Sequence, residues 1–155
     1  MTGVRAFRYE APGWGVGELW LRGEHVVWHE LPVAGLPVEP AREHPLLSRL
    51  RDFFAGKPVE FDDVDLDLEE LSPFHRELAF ALRRVRRGEV VSYGELAALA
   101  GRPRAQRAAG TFCARNRLAI FIPCHRVVGS DGIGSYGALG VEYKRRLLAL
   151  EGRAA

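Results

Sequence analysis

The sequence predicts an α+β protein: a small α/β N-terminal domain over residues 1–66, with a mixed sheet plus a helix, then a mainly α, winged-helix-like domain over residues 72–155 that carries a helix-turn-helix. Three observations predict it. Extended runs of aromatic and β-branched residues precede Pro32, strong helix-start signals begin at Ser72, and the charge changes sign at the same place. Residues 1–71 hold 7 Lys+Arg against 14 Asp+Glu, or −7; residues 72–155 hold 15 against 6, or +9. The second half is either an ordinary solvated surface or the footprint of a polyanion partner. At 155 residues and 47% hydrophobic, the chain is long enough for a real core.

In the N-terminal half, Gly17 to Leu31 (GELWLRGEHVVWHEL) reads as two strands around the turn Arg22-Gly23. Pro32, Pro37, Pro40 and Pro45 then punctuate the chain, His44 to Phe54 has helical periodicity, and the acidic stretch Glu60 to Glu70 reads as an interdomain linker. Ser72 suits an N-cap and Pro73 the first helical position, with Phe74, Leu78, Leu82 and Val85 as one apolar stripe and Gly88 as the stop. After a short strand Glu89–Val91, Ser92 and Glu95 match a capping box that opens a short helix with Leu96 and Leu99 inward and Gly101 at its end. A second helix is expected from Pro103 to about Arg115, giving the helix-turn-helix. Its Ala105, Ala108, Ala109 and Gly110 beside Arg104 and Arg107 fit either close approach to a partner or tight helix packing. The apolar run Ala119 to Ile122 predicts a buried strand ended by Pro123, which delivers Cys124 to a turn. A turn Gly129–Gly132, a glycine-spaced loop and a last helix with Leu147, Leu148 and Leu150 complete the chain.

Two cysteines, Cys113 and Cys124, with no CxxC pair make a disulfide framework or a cysteine-rich zinc site a poor expectation, and no nucleotide-binding glycine motif occurs. No cofactor and no metal are expected. The N-terminus lacks an apolar signal core and a lipidation pattern, so a cytoplasmic protein in a reducing compartment is expected. Cys124 and His125 are adjacent where a strand breaks into a proline-led turn. They read either as a nucleophile with its base or as a buried structural cysteine beside a surface histidine. Glu151 shares a helix face with Leu147 and Leu148; it is either a buried partner for His125 or a residue fraying outward at the helix end.

Ile122-Pro-Cys-His-Arg-Val-Val128 resembles the active-site signature of O6-alkylguanine-DNA alkyltransferases. The resemblance extends over Ser72 to Gly152 through Gly88–Ala97 (GEVVSYGELA), Arg107–Gly110 (RAAG), Asn116 and Leu147–Gly152 (LLALEG), while the N-terminal half resembles the family loosely. It implies repair by direct reversal: the alkyl group, methyl above all, passes irreversibly from O6-alkylguanine in double-stranded DNA to Cys124, one turnover per molecule. By the same resemblance His125 is the water-mediated base, Glu151 the carboxylate orienting it, and Asn116 the brace. Arg107 enters the base stack in place of the flipped nucleotide, and Tyr93 helps rotate its phosphate. Ser92, Ala108 and Gly110 lie on the DNA face of a helix-turn-helix docked in the minor groove, while backbone at Val127 and Val128 and a contact at Ser135, together with Tyr93, hold the guanine. A monomer is expected to bind the DNA.

Chemistry supports base extrusion, since the O6 carbon of a paired guanine lies inside the duplex and flipping costs a few kcal/mol. The chain departs from the family pattern at Phe112, where alanine is common and where a large ring would crowd the DNA face. It departs also at Arg117 and Ala119, which are proline in some relatives, and at Tyr136, one residue early before the last helix. The alternative reading is a non-enzymatic alkyltransferase-like lesion-binding sensor, which lacks the acceptor cysteine; a dimeric helix-turn-helix regulator and a cysteine hydrolase fit the signature less well.

Overall fold

The computed structural model describes residues 3–39 and 42–153, so Pro40 lies outside the described residues. The chain divides into two compact units: residues 1–68 with 117–119, and residues 69–116 with 120–155.

The first unit is built on three strands, β1 (Val4–Ala11), β2 (Gly15–Arg22) and β3 (His25–Val33), antiparallel in the order β1-β2-β3. The expected two strands are therefore three, with VRAFRYEA of β1 alternating as a half-buried strand must: Phe7, Tyr9 and Ala11 face the core. The sheet proper is antiparallel rather than mixed, and parallel pairing enters only as single bridges from Val26 to Leu66 and from His29 to Leu118. Helix α1 (Pro45–Phe54) starts where the sequence places it, with His44 as N-cap accepting from Leu46 N at 3.1 Å. Its Leu46, Leu47, Leu50, Phe53 and Phe54 are buried, and α1 packs on β1. Gly17 is dictated by closeness: a Cβ there would fall 2.6 Å from the Tyr9 ring. The acidic stretch is not a linker, because Phe61 and Val64 are buried and the main chain at Asp65 and Asp67 pairs with Val26 at 3.0 and 2.9 Å.

In the second unit Ser72 caps α2 (Pro73–Arg83) through His75 N at 3.2 Å, and Leu78, Ala79, Ala81 and Leu82 are buried. The helix ends at Arg83, well before Gly88, because the chain tightens into i→i+3 bonds from Arg84 N to Ala81 O and from Val85 N to Leu82 O. Strand β4 (Val91–Ser92) leads into α3 (Tyr93–Leu99), whose capping box is complete: Glu95 N donates to Ser92 Oγ at 3.0 Å and Ser92 N donates to Glu95 Oε1 at 2.7 Å. Leu96 is buried as expected, but Leu99 is 63% exposed; it is the last helical residue and points to solvent. Helix α4 covers Gln106–Ala114, three residues later than expected, because Pro103 occupies the second position of a turn closed by Ala105 N and Arg102 O at 2.9 Å.

Residues 119–122 do not form a strand. The run is buried, but Ile120 sits at φ +75°, a left-handed conformation that a β-branched residue rarely takes, so the chain turns where an apolar run alone could not reveal it. A 3-10 turn at Cys124–Arg126, β5 (Val127–Val128), a second 3-10 turn at Gly137–Leu139 and helix α5 (Gly140–Leu150) follow. β4 and β5 pair in parallel, Val91 with Val127 and Ser92 with Val128. No helix among the described residues is long and apolar enough to cross a membrane.

Candidate active site

Pro123 caps the 3-10 turn and sets the geometry of Cys124, whose N–H donates to Ile122 O at 2.8 Å while Arg126 N donates to Pro123 O at 2.9 Å. The thiol is 5% exposed. Asn116, just beyond the end of α4, uses one side-chain nitrogen to join both ends of this loop, donating to Ile122 O at 2.9 Å and to Cys124 Sγ at 3.2 Å. Burial pushes the Cys124 thiol well up and Cys113 beside it adds to the rise, while the Asn116 N–H and the Lys144 charge pull the other way. At neutral pH the sulfur is therefore a thiol, and a base must take its proton before it can attack carbon.

Such a base adjoins it in sequence. His125 is fully buried, and its Nε2 lies 3.1 Å from Glu151 Oε2. Burial lowers the His125 pKa although Glu151 opposes it, so the ring is neutral at pH 7. Burial alone would raise Glu151, yet its hydrogen bonds to His125 and Arg126 outweigh that and hold it at about 2. An ionised carboxylate can only accept; Nε2 must carry the ring proton, and Nδ1 carries the basic lone pair. Glu151 is the C-cap of α5 and buried, so its inward reading holds.

Sequence reasoning passed over two cations. Arg126 grips Glu151 in a two-pronged pair, Nε to Oε1 at 3.0 Å and Nη2 to Oε2 at 2.6 Å, and donates from Nη1 to Val85 O at 2.7 Å. Lys144 is completely buried and donates to Val127 O at 2.5 Å and Ser135 O at 3.1 Å, with Nζ 5.9 Å from the centre of the Tyr93 ring. A signal for Lys144 was present: it precedes Leu147, Leu148 and Glu151 by three, four and seven residues, on the same helix face.

The remaining named residues fall into two groups. Tyr93, half-buried at the start of α3, hydrogen-bonds Ser135, which is itself exposed. Val127 is buried with its carbonyl already taken by Lys144, and Val128 is half-buried and paired with Ser92. On α4, Arg107 is exposed, Ala108 and Gly110 are half-buried, and a Cβ on Gly110 would lie 3.9 Å from Tyr93. Phe112 does not crowd that face: it is buried and meets His75 edge-on at 5.6 Å. Among the described residues no group of three or more His, Cys, Asp or Glu could hold a metal ion.

Residues 73–153 match the family described as 6-O-methylguanine DNA methyltransferase, DNA binding domain. The chain is 40% identical over 148 residues, 89% of its length and 88% of the relative's, to the methylated-DNA–protein-cysteine methyltransferase of Mycolicibacterium paratuberculosis. To that of Methanopyrus kandleri it is 43% identical over 109 residues, 70% of this chain and 80% of the other. Among solved structures it resembles the Mycobacterium tuberculosis O6-methylguanine methyltransferase, with TM-score 0.79 and 32% identity over 98% of this chain and 95% of that one. It resembles equally the Mycobacterium tuberculosis OGT in complex with DNA, with TM-score 0.78 and 33% identity over 96% and 94%. A family match across more than half of the sequence, together with 40% identity over nearly all of it, establishes that the chain belongs to the 6-O-methylguanine DNA methyltransferase family.

Proposed function

We propose that this chain repairs DNA by direct reversal, with Cys124 taking a methyl group from O6-methylguanine in a single irreversible turnover. His125 accepts the thiol proton through Nδ1, by way of a water, while Glu151 holds the ring in that tautomer and stabilises the imidazolium that forms. Sulfur attacks the methyl carbon; the S–C bond forms as the C–O6 bond breaks, and guanine leaves with the O6 electron pair and regains the proton. The product is a thioether, so each molecule acts once.

The observation that carries the reading is Asn116 on the Cys124 sulfur, at 3.2 Å, beside a neutral histidine oriented by an ionised carboxylate. Double-stranded DNA is the partner. The helix-turn-helix enters the minor groove through Ser92, Ala108 and Gly110, Arg107 fills the stack, and Tyr93, Val127, Val128 and Ser135 receive the flipped base. The protein works as a monomer in the cytoplasm without a cofactor.

Intact-protein mass after incubation with duplex DNA holding one O6-methylguanine tests this. The expected gain is about 14 Da on the peptide containing Cys124, saturating at one per protein. Lesion DNA bound more tightly than undamaged DNA with no mass gain would overturn it in favour of a lesion sensor.

A further inference from the structure

Within the first unit, three residues from late in the sequence, Arg117 to Ala119, are held by β3. His29 grips them at both ends: its backbone N–H donates to Arg117 O at 2.8 Å, and its ring Nδ1 donates to Ala119 O at 2.7 Å. Leu118 bridges to His29 in parallel between those bonds, and the Arg117 guanidinium lies 5.5 Å from the centre of the neighbouring Trp28 ring. The ring is itself held in place, because Tyr9 hydroxyl and His29 Nε2 are 2.7 Å apart and the two rings stack at 5.9 Å. With Nδ1–H committed to a carbonyl, the neutral ring accepts at Nε2 and Tyr9 donates. Burial keeps it neutral, lowering His29 to about 4.

The strip is short and its flanks are chemically loaded. The residue before it is Asn116, which holds Cys124 Sγ and Ile122 O, and the residue after it is Ile120, at φ +75°. A β-branched residue in that conformation is strained and persists only where the chain on either side is fixed. A three-residue strip anchored at both ends fixes it.

We propose that His29, seated by Tyr9, is a positioning residue for the transfer reaction: by holding residues 117–119 it sets the main chain on which Asn116 presents its amide to the Cys124 sulfur. The N-terminal unit thereby acts on the thiol through covalent continuity. This rests on the alkyl-acceptor reading of Cys124, but its test does not depend on DNA. In the full chain, the rate of Cys124 labelling by iodoacetamide is followed against pH, with the labelled peptide identified by mass, for the parent, Asn116→Ala, His29→Ala, His29→Asn and Tyr9→Phe.

Loss of the Asn116 donor raises the pH midpoint of labelling. His29→Ala should raise it in the same direction and lower the methyl-transfer rate at saturating lesion DNA by about 10-fold, with the half-saturating DNA concentration unchanged. His29→Asn, which keeps a donor near Nδ1, should recover most of both, and Tyr9→Phe should shift the midpoint part of the way. If His29→Ala fails to fold, Tyr9→Phe and His29→Asn carry the comparison. A labelling midpoint identical to the parent's in His29→Ala, or in Tyr9→Phe where it stands in, would overturn the inference. A parent that accepts no methyl group but whose midpoint responds to His29 would sink the repair reading and leave the positioning intact.

Discussion

Each unit buries one histidine deep in its interior, and the two are partnered in opposite ways. In the sheet unit His29 meets a phenol and a carbonyl, both neutral, and its ring is locked as a fixed donor and acceptor. In the helical unit His125 meets a carboxylate that also holds Arg126, with Lys144 buried nearby. Neutral partners give geometry at low electrostatic cost; a charged partner gives a base that can accept a proton and be stabilised once it has. The net charges follow the same division: the first unit holds 8 Lys+Arg against 12 Asp+Glu, or −4, and the second 14 against 8, or +6, so the unit with the ionised interior is also the basic one.

The widest gap between the two should open on truncating the charged partner. Glu151→Gln leaves the Arg126 guanidinium buried without its counter-ion and should cost about 3–5 kcal/mol in urea unfolding, with transfer slowed about 10²–10⁴-fold. Tyr9→Phe, the matching change beside the other histidine, should cost about 1–3 kcal/mol. Equal costs would dissolve the distinction.

Acid should separate the units next. Glu151 is held at about 2 against 4.5, so its contribution is complete above pH 4.5 and is lost as pH falls toward 2, on the order of 3 kcal/mol. His29, depressed from 6.5 to about 4, binds its proton more readily in the unfolded chain, so stability falls from pH 6.5 down to about 4. His125 is depressed too and adds loss on the same side. Melting temperature against pH should therefore fall in two stages, and His29→Asn should shrink the first alone. An undiminished first stage in that variant would assign it to His125.

The smallest effect concerns charge on the surface. Arg107→Ala, exposed on α4, should reduce the salt slope of duplex affinity by about 1, whereas Arg22→Ala, paired with Asp67 in the first unit, should leave it unchanged. Equal slopes in the two variants would remove the basic unit's claim to the phosphates.

Much of this was legible in the sequence where a local rule has a single outcome. Ser72-Pro73 and the Ser92/Glu95 box set helix starts, His44-Pro45 another, whereas the position of Glu151 relative to Leu147 and Leu148 left an inward and an outward reading that its burial decides. The misses share a physical cause, which is that the deciding partner is distant. Pro103 satisfies a helix start and a turn equally well. An apolar run such as Ile120-Phe121-Ile122 is buried in a strand or in a turn alike. The acids of residues 60–70 hide Phe61, which meets Phe53 of α1 at 6.1 Å between ring centres, and a main chain that pairs with Val26 of β3. Arg126 was read past because an arginine between His125 and two valines carries no mark of the carboxylate 25 residues on.

Ser92 belongs at once to two structures: its side chain caps α3 and its main chain forms the last rung of the two-residue ladder with Val128. Length changes in the chain are therefore not equivalent. The exposed tip Ser130–Gly132 can gain or lose a residue at modest cost, since Gly129 and Gly132 bridge across it. A residue inserted between Val91 and Ser92 slips the ladder by one register and turns the chain entering the capped helix to the other face. That junction accepts an insertion far less readily than the turn at Gly129–Gly132.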